Sequence, residues 1–358
     1  MPLLISEGGS LMRSALVLGF GQIGTQIAHD LTAVGIDVRV MTRSRPDGLT
    51  VTDTAIAHRA GLDSPAPQHG TEHARPAAGS ETVPGTDPVA TARGGITWSQ
   101  GDASSAEAVR QAAEEVGAEA IFACVHTAYD SRVWARILPG LEASILDAAA
   151  ELGIAVVFPE SVYAFAGLTR PITADAEFAP VEEKGRIRQQ LLEARSAHPA
   201  QVVSVLAGDL IGATASPTSS VVRLCITGRI TAGRRAVVPA RTDVPHGITV
   251  IDDMAATMID AATDLSAAEQ RHAGSHRLVI APSANPTLAE VTAYAHDVLG
   301  STYRKPIALP HAVVRAAGWF DRSMFELAEL APIWRRPCLI DSGDAEADWR
   351  AGIDAMLR

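Results

Sequence analysis

The sequence predicts an α/β fold: a parallel sheet with helices on both faces and a smaller lobe toward the C-terminus. Three observations predict it. The apolar run Ala15-Leu16-Val17-Leu18 enters Gly19-Phe20-Gly21-Gln22-Ile23-Gly24, and an amphipathic pattern follows. That is a strand, a tight turn and a helix start in one piece. Short apolar runs then alternate with helical patterns to about residue 212, as strands joined by crossover helices do. Finally, 358 residues that are 47% hydrophobic but only 4% aromatic can fill a sizeable core with Ala, Val, Leu and Ile.

The elements follow in order. Residues 1–11 precede the first strand as an extension. Thr25 to about Val34 is the first helix, ended by Gly35, and Ile36–Met41 is the second strand. Residues 44–95 break the rhythm. They are rich in Pro, Gly, Ala, Thr and His, and Pro65, Pro67, Pro76, Pro84 and Pro88 forbid a long helix. They are expected to be an insertion between the second and third strands. The strands 96–100, 120–125, 154–158 and 202–206 follow, with helices at 103–116 and around Leu141, Ile145, Ala148 and Leu152. Residues 12–212 thus form the sheet domain, and residues 213–358 mainly the lobe. In the lobe, 219–227 reads as a helix, and Asp252 or Asp253 is expected to cap the helix 254–262. Thr287-Leu288-Ala289-Glu290 has the form of a capping box.

The opening glycines have separate tasks in a Rossmann-type dinucleotide site. Gly19 permits the turn, Gly21 admits a pyrophosphate to the backbone, and Gly24 allows close helix–strand packing. Gln22 and Ile23 open the helix whose free N–H groups would hold the phosphates. An NAD-preferring site carries an acid about 20 residues on. Here Thr42-Arg43-Ser44-Arg45 stands instead. A guanidinium pairs with a 2′-phosphate in fork geometry, so Arg43, or equally Arg45, favours NADP(H) over NAD(H).

Thirty basic residues against 41 acidic give a net charge of −11, which argues against nucleic acid or an anionic membrane as partner. Cys124, Cys225 and Cys338 are too scattered for a disulfide framework or a metal cluster. No metal is expected. No bilayer-spanning run and no signal peptide are apparent, and a cytoplasmic protein acting on a small molecule is expected.

The order of pieces resembles the extended and atypical short-chain dehydrogenase/reductases, the NAD-dependent epimerase/dehydratase group. The resemblance runs from about Ser14 to the C-terminus, apart from the insertion. It rests on Gly19–Gly24, Gly101-Asp102, His126-Thr127-Ala128, Pro159–Gly167 and Ile248–Ala255. It implies that Asp102 bonds the adenine and that the backbone around His126 lies along the adenosine ribose and phosphates. It also implies a homodimer paired through helices flanking the site.

The family's chemistry rests on a Ser or Thr, a Tyr and a Lys, which is acid/base catalysis beside a hydride carrier. Ser161 fits the first position. The Y-x-x-x-K is absent: Lys184 stands where Tyr would be and Arg188 where Lys would be. Lys184, Ile187, Arg188 and Leu191 share one helix face, so both cations are aimed inward and need anionic or polar partners. Arg188 can hold a ribose or a carboxylate but cannot give up a proton at neutral pH. Lys184 or Tyr163, the nearest surviving phenol, would supply the acid/base group. Tyr129 and Trp134 are expected in the pocket wall or the core. Three functions remain open. The first is an NADP(H)-dependent oxidoreductase or epimerase-like enzyme working on a carbonyl or hydroxyl carbon. The others are a redox-neutral isomerase or cyclase and a non-catalytic NADP-binding regulator.

Overall fold

A computed structural model describes residues 12–51, 94–267, 274–320 and 322–358. The expected 1–11 extension and most of the expected 44–95 insertion lie outside them. Seven strands form one parallel sheet: β1 (Ser14–Leu18), β2 (Asp37–Thr42), β3 (Ile96–Gln100), β4 (Ala120–Ala123), β5 (Ala155–Ser161), β6 (Gln201–Ala207) and β10 (His276–Ile280). Their order is β3-β2-β1-β4-β5-β6-β10, every pairing parallel. The order reverses between β1 and β4, where sheets of this type open a crevice.

The strands read as apolar runs because both faces are covered. Val17, Val38, Val40, Phe122, Val157 and Val205 pack against Ile27 and Leu31 of α1 (Gln22–Ala33) and Met254 and Met258 of α6 (Ile251–Ala267). Their neighbours Leu16, Leu18, Ile121, Val156 and Phe158 face the opposite layer. There lie Val109 of α2 (Ala106–Val116), Ile145 of α3 (Ser131–Leu152), and Ile187 and Leu191 of α4 (Glu183–Ala197). The two-residue period of the strands thus serves two cores.

The lobe holds β7 (Asp209–Ile211), β9 (Ile248–Val250) and β11 (Ser283–Ala284) in one small sheet, and β8 (Val237–Val238) beside β12 (Ile307–Ala308) in another. It is completed by α5 (Gly228–Thr231), α7 (Leu288–Val298), α8 (His311–Ala317), α9 (Arg322–Glu329), α10 (Ala331–Arg335) and α11 (Trp349–Leu357).

Three local differences from the sequence expectations have physical reasons. Residues 213–358 are mainly lobe, but α6 and β10 return to the main sheet domain, because α1 offers an apolar face that α6 covers and β6 an open edge along which β10 pairs. The helix expected at 219–227 contains a π-helical stretch at Arg223–Thr227 before α5. Asp252 and Asp253 do not cap α6. The helix starts at Ile251, directly off β9, and both acids fall in its first turn, where the positive end of the helix still favours them. The capping box at Thr287 and Glu290 is present in both directions.

Candidate active site

A cavity of about 580 Å³ opens at the carboxyl ends of β1, β4 and β5. The glycine turn builds one end of it. Gly19 adopts φ +88, and a Cβ there would meet the Cys124 carbonyl oxygen at 2.8 Å. A Cβ on Gly24 would fall well inside contact distance of the Gly19 carbonyl oxygen, so only glycine lets α1 lie this close to β1. Gly21 is the opposite case. A Cβ there meets nothing within 4 Å, because the position faces the cavity. Gly21 is also the N-cap of α1, with no side-chain cap and no acid in the first turn. Uncapped N–H groups at a positive helix end, beside open space, suit an anion.

Gln22 and Ile23 line the cavity beside Gly21. The Gln22 side chain serves as a tether: its Oε1 accepts from Ser216 N at 3.0 Å and from Ser219 Oγ at 3.1 Å. Thr214 Oγ1 donates to the Gln22 carbonyl at 3.1 Å. The loop after β7 is thereby strapped to the glycine turn, and Ser216, Thr218 and Ser219 join the cavity wall. This loop was not among the residues picked out from sequence.

Arg43 and Asp102 lie at the ends of β2 and β3, both exposed and neither in the cavity wall. The Asp102 carboxylate accepts from Ser104 N and Oγ at 3.0 and 2.8 Å, and these bonds, with a smaller contribution from Arg43, hold its pKa below the ordinary value. His126 does line the cavity. Its Nδ1 lies 2.8 Å from the Thr127 carbonyl, and its ring meets Trp134 edge-on at 4.8 Å. Burial, and secondarily Arg188, hold it below the usual histidine range.

The other end of the cavity is charged. Arg188 lies beside Glu160, with Nε–Oε1 at 2.6 Å and Nη2–Oε2 at 2.8 Å. Arg195 grips Glu142 in the same two-pronged way at 2.8 and 2.7 Å. Its Nη1 reaches Glu160 at 2.9 Å and Ser204 Oγ at 2.9 Å. Two arginines from α4, one glutamate from β5 and one from α3 thus form a charge-balanced cluster, and all four line the cavity. Burial opposes the charge on Glu160, but Arg188 and Arg195 outweigh it and its pKa is lowered. Arg188, expected to hold ribose or carboxylate, therefore already has a carboxylate.

Ser161 is in the wall, its N–H bonded to Glu160 Oε1 at 2.8 Å. Tyr163 follows on the 3₁₀ turn Val162–Phe165. Its hydroxyl lies 2.9 Å from that of Tyr129, from the loop before α3, and both rings line the cavity. Burial pushes the Tyr163 phenol up to about 12 and Tyr129 also upward. Lys184 is on the inward face of α4, as its spacing predicts, but it does not reach the cavity wall. It is fully buried and ion-paired with Glu326 of α9, which also accepts from Ser131 N at 3.1 Å. Its ammonium lies 4.5 Å from the Tyr129 ring centre. The structure thus brings Gly21, Gln22, Ile23, His126, Ser161, Tyr163 and Arg188 to one cavity. It places Gly19 and Gly24 behind it, Arg43 and Asp102 outside its wall at the ends of β2 and β3, and Lys184 in the packed interior.

Tyr129 and Trp134, expected in the pocket wall or the core, do line the cavity, whereas Glu142, Glu160 and Arg195 were not foreseen there, nor Glu326 as the partner of Lys184. Only the inward-facing cations signalled that acids had to exist somewhere.

Among the described residues no three His, Cys, Asp or Glu side chains gather as a metal site, and no helix is long and apolar enough to cross a membrane. The three cysteines are free.

No protein-family model matches the sequence, and no curated protein matches it. Solved structures do match. The Bordetella bronchiseptica enzyme WbmH, in complex with NAD+, aligns with a TM-score of 0.64 over 96% of each chain at 13% identity. UDP-N-acetylglucosamine 4-epimerase from Methanobrevibacter ruminantium, in complex with UDP-N-acetylmuramic acid, gives 0.63 over 97% of this chain and 98% of its own at 13% identity. UDP-glucose 4-epimerase from Thermotoga maritima, with UDP-glucose, gives 0.62 over 96% and 97% at 11% identity. The described residues have the fold of these enzymes, which is the fold that the sequence resemblance implies.

Proposed function

We propose that this protein is a nicotinamide-dinucleotide-dependent oxidoreductase acting on a carbonyl or hydroxyl carbon of a small polar metabolite. One observation carries the reading: the uncapped start of α1 at Gly21 faces a cavity that also receives Ser161 and the Tyr163 phenol. Anion cradle and proton donor therefore share one space. The likeness to solved NAD complexes supports the same choice of cofactor class. The dinucleotide would supply the hydride. The chain's own residues would hold the pyrophosphate on the N–H groups following Gly21, polarise the substrate oxygen through Ser161, and deliver a proton from Tyr163. NADP(H) is the preferred form, because Arg43 stands exposed at the end of β2, where an acid would select against a 2′-phosphate.

A second reading has its own observation. Both cations at the family's catalytic positions are engaged, Lys184 by Glu326 and Arg188 by Glu160. That favours a protein that binds the cofactor without turning it over, or one that works without net redox change. Calorimetry with NAD+, NADH, NADP+ and NADPH, followed by absorbance of the reduced nicotinamide against a panel of aldehydes and ketones, separates the readings. Binding with turnover is expected. Binding without turnover of any carbonyl favours the second reading, and no heat with any of the four forms overturns both.

A further inference from the structure

We propose that Tyr129 replaces the missing lysine as the group that steadies the proton donor: its hydroxyl, 2.9 Å from that of Tyr163, supports the charge left on Tyr163 when that phenol gives its proton to the substrate oxygen. The proposal rests on the reading above and names the means by which that site works without Y-x-x-x-K.

A phenol needs help to release a proton at neutral pH, since its ordinary pKa is near 10. A nearby cation is one source of help; Arg188 acts in that sense on Tyr163, but Asp209 and Glu182 act against it and burial outweighs all three. Lys184 sits beneath the Tyr129 ring, held to Glu326 in the packed interior. Arg188 is held by Glu160. What faces the Tyr163 oxygen is another hydroxyl. Burial raises both phenols, and either hydroxyl can donate to the other across this bond. Tyr163 is the one that follows Ser161 on the turn after β5, and when it gives up its proton Tyr129 is left as the O–H donor to the resulting phenolate. Such charge-assisted O–H···O⁻ bonds are shorter and stronger than neutral ones.

Tyr129 is itself held in place. Its ring meets Trp134 edge-on at 5.5 Å, Lys184 lies under it, and Trp134 Nε1 donates to the Ala128 carbonyl at 3.0 Å. On the other side, α4 comes so close that a Cβ on Gly185 would stand 2.6 Å from the Tyr163 carbonyl oxygen, which fixes the turn carrying Tyr163.

The reaction balances as a carbonyl reduction. The carbonyl carbon takes a hydride from reduced nicotinamide, the C=O π pair moves to oxygen, and that oxygen takes the Tyr163 proton. The Tyr163 phenolate accepts from Tyr129 and regains a proton from water in the cavity. The net change is one carbonyl, one reduced nicotinamide and one proton converted to one alcohol and one oxidised nicotinamide. Tyr163 is the catalytic residue and Tyr129 the positioning residue.

Two measurements test this, one of them independent of turnover. The chain has four tyrosines, so full-length protein labelled at the tyrosine ring Cζ gives four carbon signals, assigned by Tyr→Phe replacement. Tyr129→Phe should shift the Tyr163 signal at neutral pH. On alkaline titration, for as long as circular dichroism shows the fold intact, it should also move the onset of Tyr163 ionisation upward. Kinetics then use NADPH and whichever aldehyde or ketone of a panel the wild type reduces fastest. Tyr129→Phe should lower kcat roughly 100-fold, the low end for loss of one donor to a developing oxyanion, with the cofactor Kd unchanged. Tyr163→Phe should cost at least about as much. An unmoved Tyr163 signal overturns the proposal, and so does a moved signal with unchanged kcat. A wild type that binds no nicotinamide form overturns the underlying function and the reduction step with it. The carbon spectra then show separately whether the phenols are paired.

Discussion

Alanine at Gly21 should weaken nicotinamide binding and leave the fold intact, whereas alanine at Gly24 should weaken the fold itself. The two residues belong to one motif, yet the structure gives their Cβ atoms opposite surroundings. At Gly21 the backbone is at φ −84 and ψ −165, a region open to any residue, and nothing lies within 4 Å. Alanine is a poorer N-cap than glycine but loses less chain entropy on folding, so stability should stay within about 1 kcal/mol of wild type. The new methyl, however, projects into the space where the first N–H groups of α1 face the cavity. A hydrogen bond to a charged group is worth about 1.5–3 kcal/mol, so displacing one weakens binding roughly 10- to 100-fold. At Gly24 the methyl meets the Gly19 carbonyl oxygen, which is backbone and cannot rotate aside. Overpacking of that kind costs about 1–3 kcal/mol or more. Urea unfolding reads stability and calorimetry with NADPH reads binding. A Gly21→Ala protein that binds like wild type, or a Gly24→Ala protein as stable as wild type, would refute this account of the turn.

Arg43→Ala should weaken NADPH binding roughly 10-fold or more and leave NADH binding unchanged, since only a 2′-phosphate needs the guanidinium. Equal effects on both cofactors would remove the phosphate assignment. Lys184→Met should destabilise by about 3–5 kcal/mol in urea, because it strands the fully buried Glu326 carboxylate. Adding Glu326→Leu should restore most of the loss, and a double variant no better than the single one would show that the pair is not what Lys184 contributes. The His246 imidazole is 2% exposed, and burial lowers its pKa from 6.5 to about 4. Its folded pKa is depressed, so the unfolded chain takes up the proton first and stability is lost as pH falls from 6.5 toward 4. His246→Phe should therefore lose less stability than wild type between pH 7.5 and 4.5, by about 2–3 kcal/mol. Equal losses in the two proteins would contradict it.

The main sheet was legible because its information is local. Apolar runs such as Ala15–Leu18 and Ala120–Ala123, glycines at the ends of strands, and a Thr-x-x-Glu box each specify an element within a dozen residues. What was not legible depends on partners distant in sequence. Nothing in His276–Ile280 says that it pairs with β6 rather than within the lobe; that follows from an edge left open by the preceding strands. The start of α6 at Ile251 was missed for a related reason. An Asp pair resembles a cap, but β9 delivers the chain so directly into the helix that no separate capping residue intervenes.

The site divides along the same line. The helical period of α4 was enough to state that Lys184 and Arg188 point inward, and a buried cation requires an anion. It was not enough to say which anion. Glu160 is 28 residues from Arg188 and Glu326 is 142 residues from Lys184, on elements whose placement depends on the whole fold. Once both partners are known, the two substitutions have different consequences. Arg188 and its acid remain in the cavity wall, in a cluster of two arginines and two glutamates that adds no net charge there. Lys184 is withdrawn from the cavity altogether, and a segment of the C-terminal lobe is fastened to α4 in exchange. On the function proposed above, the proton chemistry falls to groups that neither substitution occupies, Tyr163 on the turn after β5 and Tyr129 before α3. Their meeting at 2.9 Å had no sequence signal, because 34 residues and a complete helix and strand separate them.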